Sequence, residues 1–343
     1  MTRKVHSHYR QAHLEGGGRC SETPAEVLDK EYDLIVMTAS WDSRCLCLCD
    51  QDIRSTDGIG VFFSNRGTLG LRDQHDQRVT QFLEDHCQAM EVVEGESEDL
   101  RGLWEAMWVA AWKSYLAAGR PLDVLLDLST CPRYYAMAFL AQGFRTGVVG
   151  RLTCFYAEGR YPPNPADANA DQFTAGRWET RAVPGLTGTA DPGNRRLYVV
   201  SVGFEGSKTF RAVSSDDPDR VAVLFPDPGV DPGYPERTQR ENRLLFREYG
   251  IEDEDLIKAP AGDAITAWAA LAEASVSRQD ENPFYLCCGT KPHSLAMALH
   301  ALVGERTTVL YAKPAGHKEL EIVPSGVFWS YRIVDLTLPG ARL

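Results

Sequence analysis

Short apolar runs bounded by turn residues alternate along the chain with longer amphipathic stretches. The short runs read as buried strands and the stretches with a 3.6-residue period as helices. The pattern predicts strands near 33–38, 59–64, 90–94, 122–127, 150–157 and 177–183, with helices near 43–51, 74–88, 97–118 and 132–144. Further on, strands near 197–202, 220–225, 284–288, 307–312 and 328–336 alternate with helices near 236–248, 263–277 and 292–302. The helix at 97–118 is the clearest, with Leu103, Met107, Ala110, Ala111 and Tyr115 on one stripe. Such alternation implies an α/β fold with mostly parallel sheets covered on both faces.

The pattern also repeats. TASWDSRC (Thr38 to Cys45) aligns with SVGFEGSK (Ser201 to Lys208), and GVFFSNRG (Gly60 to Gly67) with AVLFPDPG (Ala222 to Gly229). DLSTCPRYYAMAFL (Asp127 to Leu140) aligns with CCGTKPHSLAMALH (Cys287 to His300), CFYAE (Cys154 to Glu158) with VLYAK (Val309 to Lys313), and WETRAV (Trp178 to Val183) with WSYRIV (Trp329 to Val334). Five matched segments in the same order predict two tandem Rossmann-like, doubly wound sheets related by internal duplication. The expected layout is a flexible or partner-bound arm over 1–28, a first half over 29–190 and a second over 191–343. The divide falls in the turn-rich stretch Pro184 to Asn194, and a Pro/Asn/Ala loop, Tyr161 to Asp171, interrupts the first half.

Right-handed crossovers favour a strand order of 3-2-1-4-5 in each half. The connections after the first and fourth strands then open a crevice at the carboxyl ends, where open α/β sheets bind ligands. In the first half the lining would be Ser40, Trp41, Asp42, Ser43 and Arg44, with Ser129, Thr130 and Arg133. In the second half it would be Gly203, Phe204, Glu205, Ser207 and Lys208, with Gly289, Thr290, Lys291 and His293. Small hydroxyl residues, glycines and a cation at a helix start suit phosphate, because backbone N–H groups and the helix dipole face the anion. Helix capping accounts for some of these residues, but it does not require a cation beside all four loops. Trp41 and Phe204 are placed either to stack on a base or to pack at a strand end. Asn65, Arg66 and Asp227 add polar groups after the second strands.

Charge narrows the ligand. A net charge of −12 repels phosphate backbones at long range, which argues against duplex nucleic acid and leaves room for a small anion in a local cationic pocket. No apolar stretch reaches the roughly 18 residues of a membrane span, so no membrane association and a cytoplasmic location are expected. The nine cysteines are odd in number and form no C-x-x-C pair, which points to reduced, packed thiols rather than disulfides or zinc, the CLCLC run included. His75 and His86 fall on a helix expected at the surface. There is no G-x-S-x-G, H-E-x-x-H or Walker loop, so no catalytic residue, metal or cofactor is assigned.

CCGTKPHSLAMALHAL, a strand followed by Gly-Thr-Lys and a helix, resembles the late motif of CRISPR-associated Rossmann-fold sensor domains, which bind cyclic oligoadenylates. TASWDSRC and SVGFEGSK stand where that family has its other ligand loop, and two copies in one chain resemble the fused sensor domains of cyclic-nucleotide defence systems. The resemblance implies a pseudo-twofold pocket for a cyclic nucleotide, contacted by Thr290 and Lys291 in one half and by Thr130 and Arg133 in the other. The first half departs from the motif, carrying Ser-Thr-Cys where the second has Gly-Thr-Lys. Since the halves use nearly all the chain, the implied effector is a separate protein, and the implied role is antiviral or stress signalling.

Two other readings compete. T-A-S-W-D-S resembles the Ser-Gly-Gly-x-Asp-Ser loop of ATP pyrophosphatases, but Ala39 and Ser40 replace the glycines that let backbone approach pyrophosphate. A phosphodiesterase that cleaves a cyclic nucleotide by positioning alone is the other enzyme reading. The third reading is a catalytically silent scaffold subunit of a multi-protein complex.

Overall fold

In a computed structural model of the chain, the described residues are 4–6, 13–16, 28–64, 71–96, 99–162, 173–278, 280–304, 306–334 and 336. In chain order the first elements are β1 (Lys4–His6), β2 (His13–Gly16), β3 (Glu31–Thr38), β4 (Arg54–Phe63), α1 (Leu71–His86), β5 (Cys87–Gly95), α2 (Leu100–Ala118), β6 (Leu122–Asp127), α3 (Arg133–Arg145), β7 (Val149–Arg160) and β8 (Thr174–Ala182). They are followed by β9 (Arg195–Ser201), α4 (Gly206–Asp216), β10 (Arg220–Pro226), α5 (Tyr234–Glu241), α6 (Arg243–Glu248), β11 (Leu256–Ala259), α7 (Ala264–Val276), β12 (Glu281–Cys287), α8 (Lys291–Val303), β13 (Thr308–His317) and β14 (Val323–Val334).

Local chemistry sets several boundaries. Asp99 caps α2 by accepting the Gly102 N–H at 2.9 Å, and Gly119, at φ 64°, ends the helix in a conformation that glycine adopts without a Cβ penalty. The expected helix at 43–51 is only a 3-10 turn, Ser43–Leu46, followed by further turns. The expected helix at 236–248 breaks at Asn242, whose side-chain amide donates to the carbonyls of Thr238 and Gly203 instead of facing solvent. The pattern missed α4 and β11. LIKA is short and carries a lysine, and the polar SSDD at the end of α4 reads as turn.

The strands form two sheets, in the orders β1-β2-β14-β7-β6-β3-β4-β5 and β11-β10-β9-β12-β13-β8. The five strands from β5 to β7 and the five from β11 to β13 each follow the expected 3-2-1-4-5 order and pair in parallel. The fold is therefore α/β with two mostly parallel, Rossmann-like sheets. Ile35, Met37, Phe82 and Phe155 are part of the core on one face of the first sheet. Val200, Val223, Leu245 and Leu286 do the same on one face of the second.

The chain divides into two compact units, Met1–Pro162 with Glu319–Leu343, and Pro163–Lys318. This differs from a single divide near 190. The matched WETRAV and WSYRIV segments each close the sheet of the other stretch: β8 runs antiparallel to β13, and β14 antiparallel to β7. Tyr331 and Ile333 of β14 are each 1% exposed, and the Trp329 indole N–H donates to the Glu158 carboxylate of β7 at 2.6 Å. Periodicity finds a strand but does not say which edge takes it. The arm expected over 1–28 is partly strand: β2 pairs antiparallel with β14 and β1 with β2, extending the first sheet at an edge that offers open N–H and C=O groups. The remainder of the arm before residue 28, together with Asn65, Arg66 and most of the Tyr161 to Asp171 loop, lies outside the described residues.

Candidate functional site

At the carboxyl end of β3 the chain turns sharply. Asp42 caps the 3-10 turn, accepting the Arg44 N–H at 3.1 Å, and both its carboxylate oxygens accept from Arg44 Nε at 3.0 Å. The pair is buried, with Arg44 only 4% exposed, and Arg44 Nη1 also donates to the Ala157 carbonyl. Burial works against the Arg44 charge, yet Asp42 beside it holds its pKa well above the usual arginine value. The segment leading into β14 holds this turn, since Glu321 accepts the Ser43 N–H at 3.2 Å.

The second unit repeats the device with different residues. Lys208 in the first turn of α4 lies 3.3 Å from Glu205, and both bond to Thr174 at the start of β8. Lys208 is 4% exposed. Arg44 and Lys208, expected as phosphate cations, thus sit inside ion pairs that hold the first-strand loops, the first against Ala157 of β7 and the second against Thr174 of β8. Thr174 and Glu321 were not foreseen, because nothing local in the sequence ties them to loops so far away in the chain.

The first-strand and fourth-strand loops do meet. In the first unit the Thr130 hydroxyl donates to the Thr38 carbonyl, while buried Ser129 accepts the Ala157 N–H and gives its own N–H to Asp127. Two carboxylates, Asp42 and Asp127, are therefore buried at this end of the first sheet. In the second unit the Ser201 hydroxyl accepts the N–H groups of Cys288 and Gly289 at 3.1 and 3.0 Å. A Cβ on Gly289 would lie 2.8 Å from the Val202 carbonyl oxygen, and one on Gly203 would lie 3.2 Å from that of Cys288, so these loops run backbone against backbone. Thr290 caps α8 by accepting the His293 N–H, and Lys291 stands half-buried at its first position. Arg133 holds the same place in α3, and Ser207 is half-buried in the first turn of α4.

Both loop aromatics are covered by an arginine from the helix after the second strand. The Arg237 guanidinium lies 4.0 Å from the Phe204 ring centre, and that of Arg72 lies 6.0 Å from Trp41 and 5.4 Å from Phe63. Tyr234 closes on Phe204 edge-on at 5.2 Å. The ring of Phe204 is thereby engaged within the protein, and the packing explanation suits it better than base stacking. The loop carbonyls are tied down as well: His75 bonds to the Ser40 carbonyl at 2.7 Å and Asn242 to that of Gly203 at 2.7 Å. His75 is buried rather than on the surface as expected. Its ring turns inward because α1 packs against the turn after β3.

His293, expected at the crevice surface, is 0% exposed, and its Nε2–H donates to the Pro260 carbonyl at 3.1 Å. One helical turn past Thr290, its ring turns to the connection between β11 and α7 rather than to the crevice. Burial pushes the imidazole down to about 4. The native chain thus binds this proton near pH 4 and the unfolded chain near pH 6.5, so stability present above pH 6.5 is lost as pH falls. The loss is about 2 kcal/mol by pH 5 for this group alone. Burial also pushes His300 down to about 4, which adds in the same direction. Urea unfolding at pH 7 and pH 5 checks this: His293→Asn shrinks the difference by about 2 kcal/mol and leaves the His300 part, and an unchanged difference in that variant contradicts it.

Burial pushes the thiols of Cys47, Cys49 and Cys87 up to about 12, which makes them poor nucleophiles. Among the described residues no group of three or more His, Cys, Asp or Glu side chains is placed to hold a metal ion. Among the same residues no helix is long and apolar enough to cross a membrane.

No family model matches the chain. No curated protein matches it either. Among solved structures, the chain is similar to a functionally unknown protein from Pseudomonas aeruginosa PAO1, at 11% identity, a TM-score of 0.24, and coverage of 82% of this chain and 93% of the other.

Proposed function

We propose that the protein is a small-nucleotide sensor whose ligand, a cyclic oligonucleotide or related phosphorylated molecule, binds at the carboxyl end of the second unit's sheet. One observation carries the reading: the side-chain-free approach of the Gly203 and Gly289 loops beside Thr290 and Lys291 at the start of α8. A lysine at the start of α8 adds its charge to the positive end of the helix dipole, and the two together favour an anion there. The first unit is the poorer host, because buried Asp127 adds a carboxylate at a position where the aligned Cys287 adds none, while Asp42 and Glu205 are each ion-paired. The site is thus one per chain, and the likeness between the stretches reflects a duplication in which one copy has lost its motif. The antiviral or stress-signalling role and the separate effector rest on the family resemblance.

A melting-temperature screen against cyclic di-, tri- and tetranucleotides, ATP, AMP and NAD at matched ionic strength tests this. One cyclic species raises the melting temperature by mass action. Lys291→Ala weakens its binding about tenfold or more while leaving the unliganded melt unchanged, the loss expected for a charge-assisted hydrogen bond. A response to ATP alone favours the pyrophosphatase-like reading instead, and wild-type affinity in Lys291→Ala removes the site.

The scaffold reading has its own support in α2, which exposes Val109 (52%), Trp112 (39%) and Leu116 (63%) along one stripe. It predicts no melting shift with any nucleotide.

A further inference from the structure

Away from these loops the second unit holds a cavity of about 880 Å³, beside β11, the segment that leads into it and the carboxyl end of β10, and against α5 and α6. This volume is within the usual range for small-molecule sites. Its apolar floor includes Phe225, which is buried, with Phe246 packed against it at 6.3 Å and Leu256 alongside. Asp227, Glu236, Glu252, Asp253 and Glu254 surround that floor, against the single cation of Lys258.

The carboxylates come from three separate segments and none has an ion-pair partner among the described residues. Nearby arginines are engaged elsewhere: Arg240 with Glu241, and Arg247 with Glu248 at 2.6 Å. Like charges around a concave, partly apolar surface repel one another and focus a negative potential into it. A phosphorylated ligand is excluded on that ground. A bare divalent ion would answer the charge and leave the apolar floor unused.

We propose that this cavity binds an aliphatic polyamine, with methylene segments over Phe225, Phe246 and Leu256 and ammonium groups against the carboxylates. The complementarity is of two kinds at once, apolar along the floor and anionic at the rim. It stands independently of the nucleotide reading, because it involves none of the residues placed at the first-strand and fourth-strand loops.

Calorimetric titration of the full chain with spermidine at fixed ionic strength tests the proposal, with magnesium chloride and a tri-lysine peptide as comparisons. Spermidine binds the wild type, and the combined Glu236→Gln, Glu252→Gln and Asp253→Asn variant binds it about tenfold more weakly, as the loss of exposed ion pairs predicts. These positions are solvent-exposed, so the unliganded melting temperature is unchanged. Lys258→Gln removes the one cation among the described lining residues and tightens binding about threefold. Wild-type affinity in the triple variant overturns the proposal, as does magnesium binding as tightly as spermidine. Tighter binding of the tri-lysine peptide overturns it in favour of a basic protein segment.

Discussion

A chain ending at Lys318 loses the cooperative unfolding of its first sheet and keeps that of its second. The truncation removes β14, which pairs along β7 from Val323↔Arg160 to Val334↔Arg151. It removes buried Tyr331, Ile333 and Phe328, and also Glu321, which holds the turn after β3. Deleting one large buried side chain costs about 3–5 kcal/mol. Removing three of them costs about 9–15 kcal/mol before the strand's own pairing is counted, as much as the roughly 5–15 kcal/mol that stabilises a domain. The second sheet keeps β8 at its edge and is untouched. Hydrogen exchange read by mass spectrometry distinguishes the outcomes, with amides of β3, β6 and β7 losing protection while those of β9, β12 and β13 retain it. The opposite pattern is what two consecutive, unexchanged halves would give.

Asp42→Ala destabilises the protein by about 3–5 kcal/mol, because it leaves the Arg44 guanidinium buried without its counter-charge. The desolvation of Arg44 is compensated by Asp42 alone among the ion pairs described for it, through both carboxylate oxygens. Replacing both partners, Asp42→Leu with Arg44→Met, recovers most of the loss, since an apolar pair of similar size needs no counter-charge. Urea denaturation of the single and double variants measures the coupling directly. A single variant within about 1 kcal/mol of wild type would mean that water reaches the pair and that Arg44 remains available to a ligand.

Much of the fold was legible because its signals are local. Apolar runs gave the strands near their observed bounds, and the crossover rule gave the 3-2-1-4-5 order of both sheets. Periodicity found the Trp178 and Trp329 segments as strands, but which strand each pairs with is a non-local choice that periodicity does not encode. The meeting of the first-strand and fourth-strand loops was legible, and the roles of their residues were not. Meeting loops, the Thr290 cap and the cations near them were foreseen. That Arg44 and Lys208 face Asp42 and Glu205 inside the protein follows from spacing of two and three residues in a turn, which reads equally well as pocket lining. Arg72 and Arg237 carry no motif of their own, and only the packing of their helices brings them over Trp41 and Phe204.

The most direct test of the sensor reading is hydrogen exchange on the full chain with and without the cyclic nucleotide that raises its melting temperature. Slowed exchange confined to the Ser201 to Lys208 loop and the start of α8 near Lys291 is the expected result, with the Ser40 to Arg44 loop unaffected. Protection in the first unit's loops instead, or no protection in either, contradicts a single nucleotide site at the second unit's switch point.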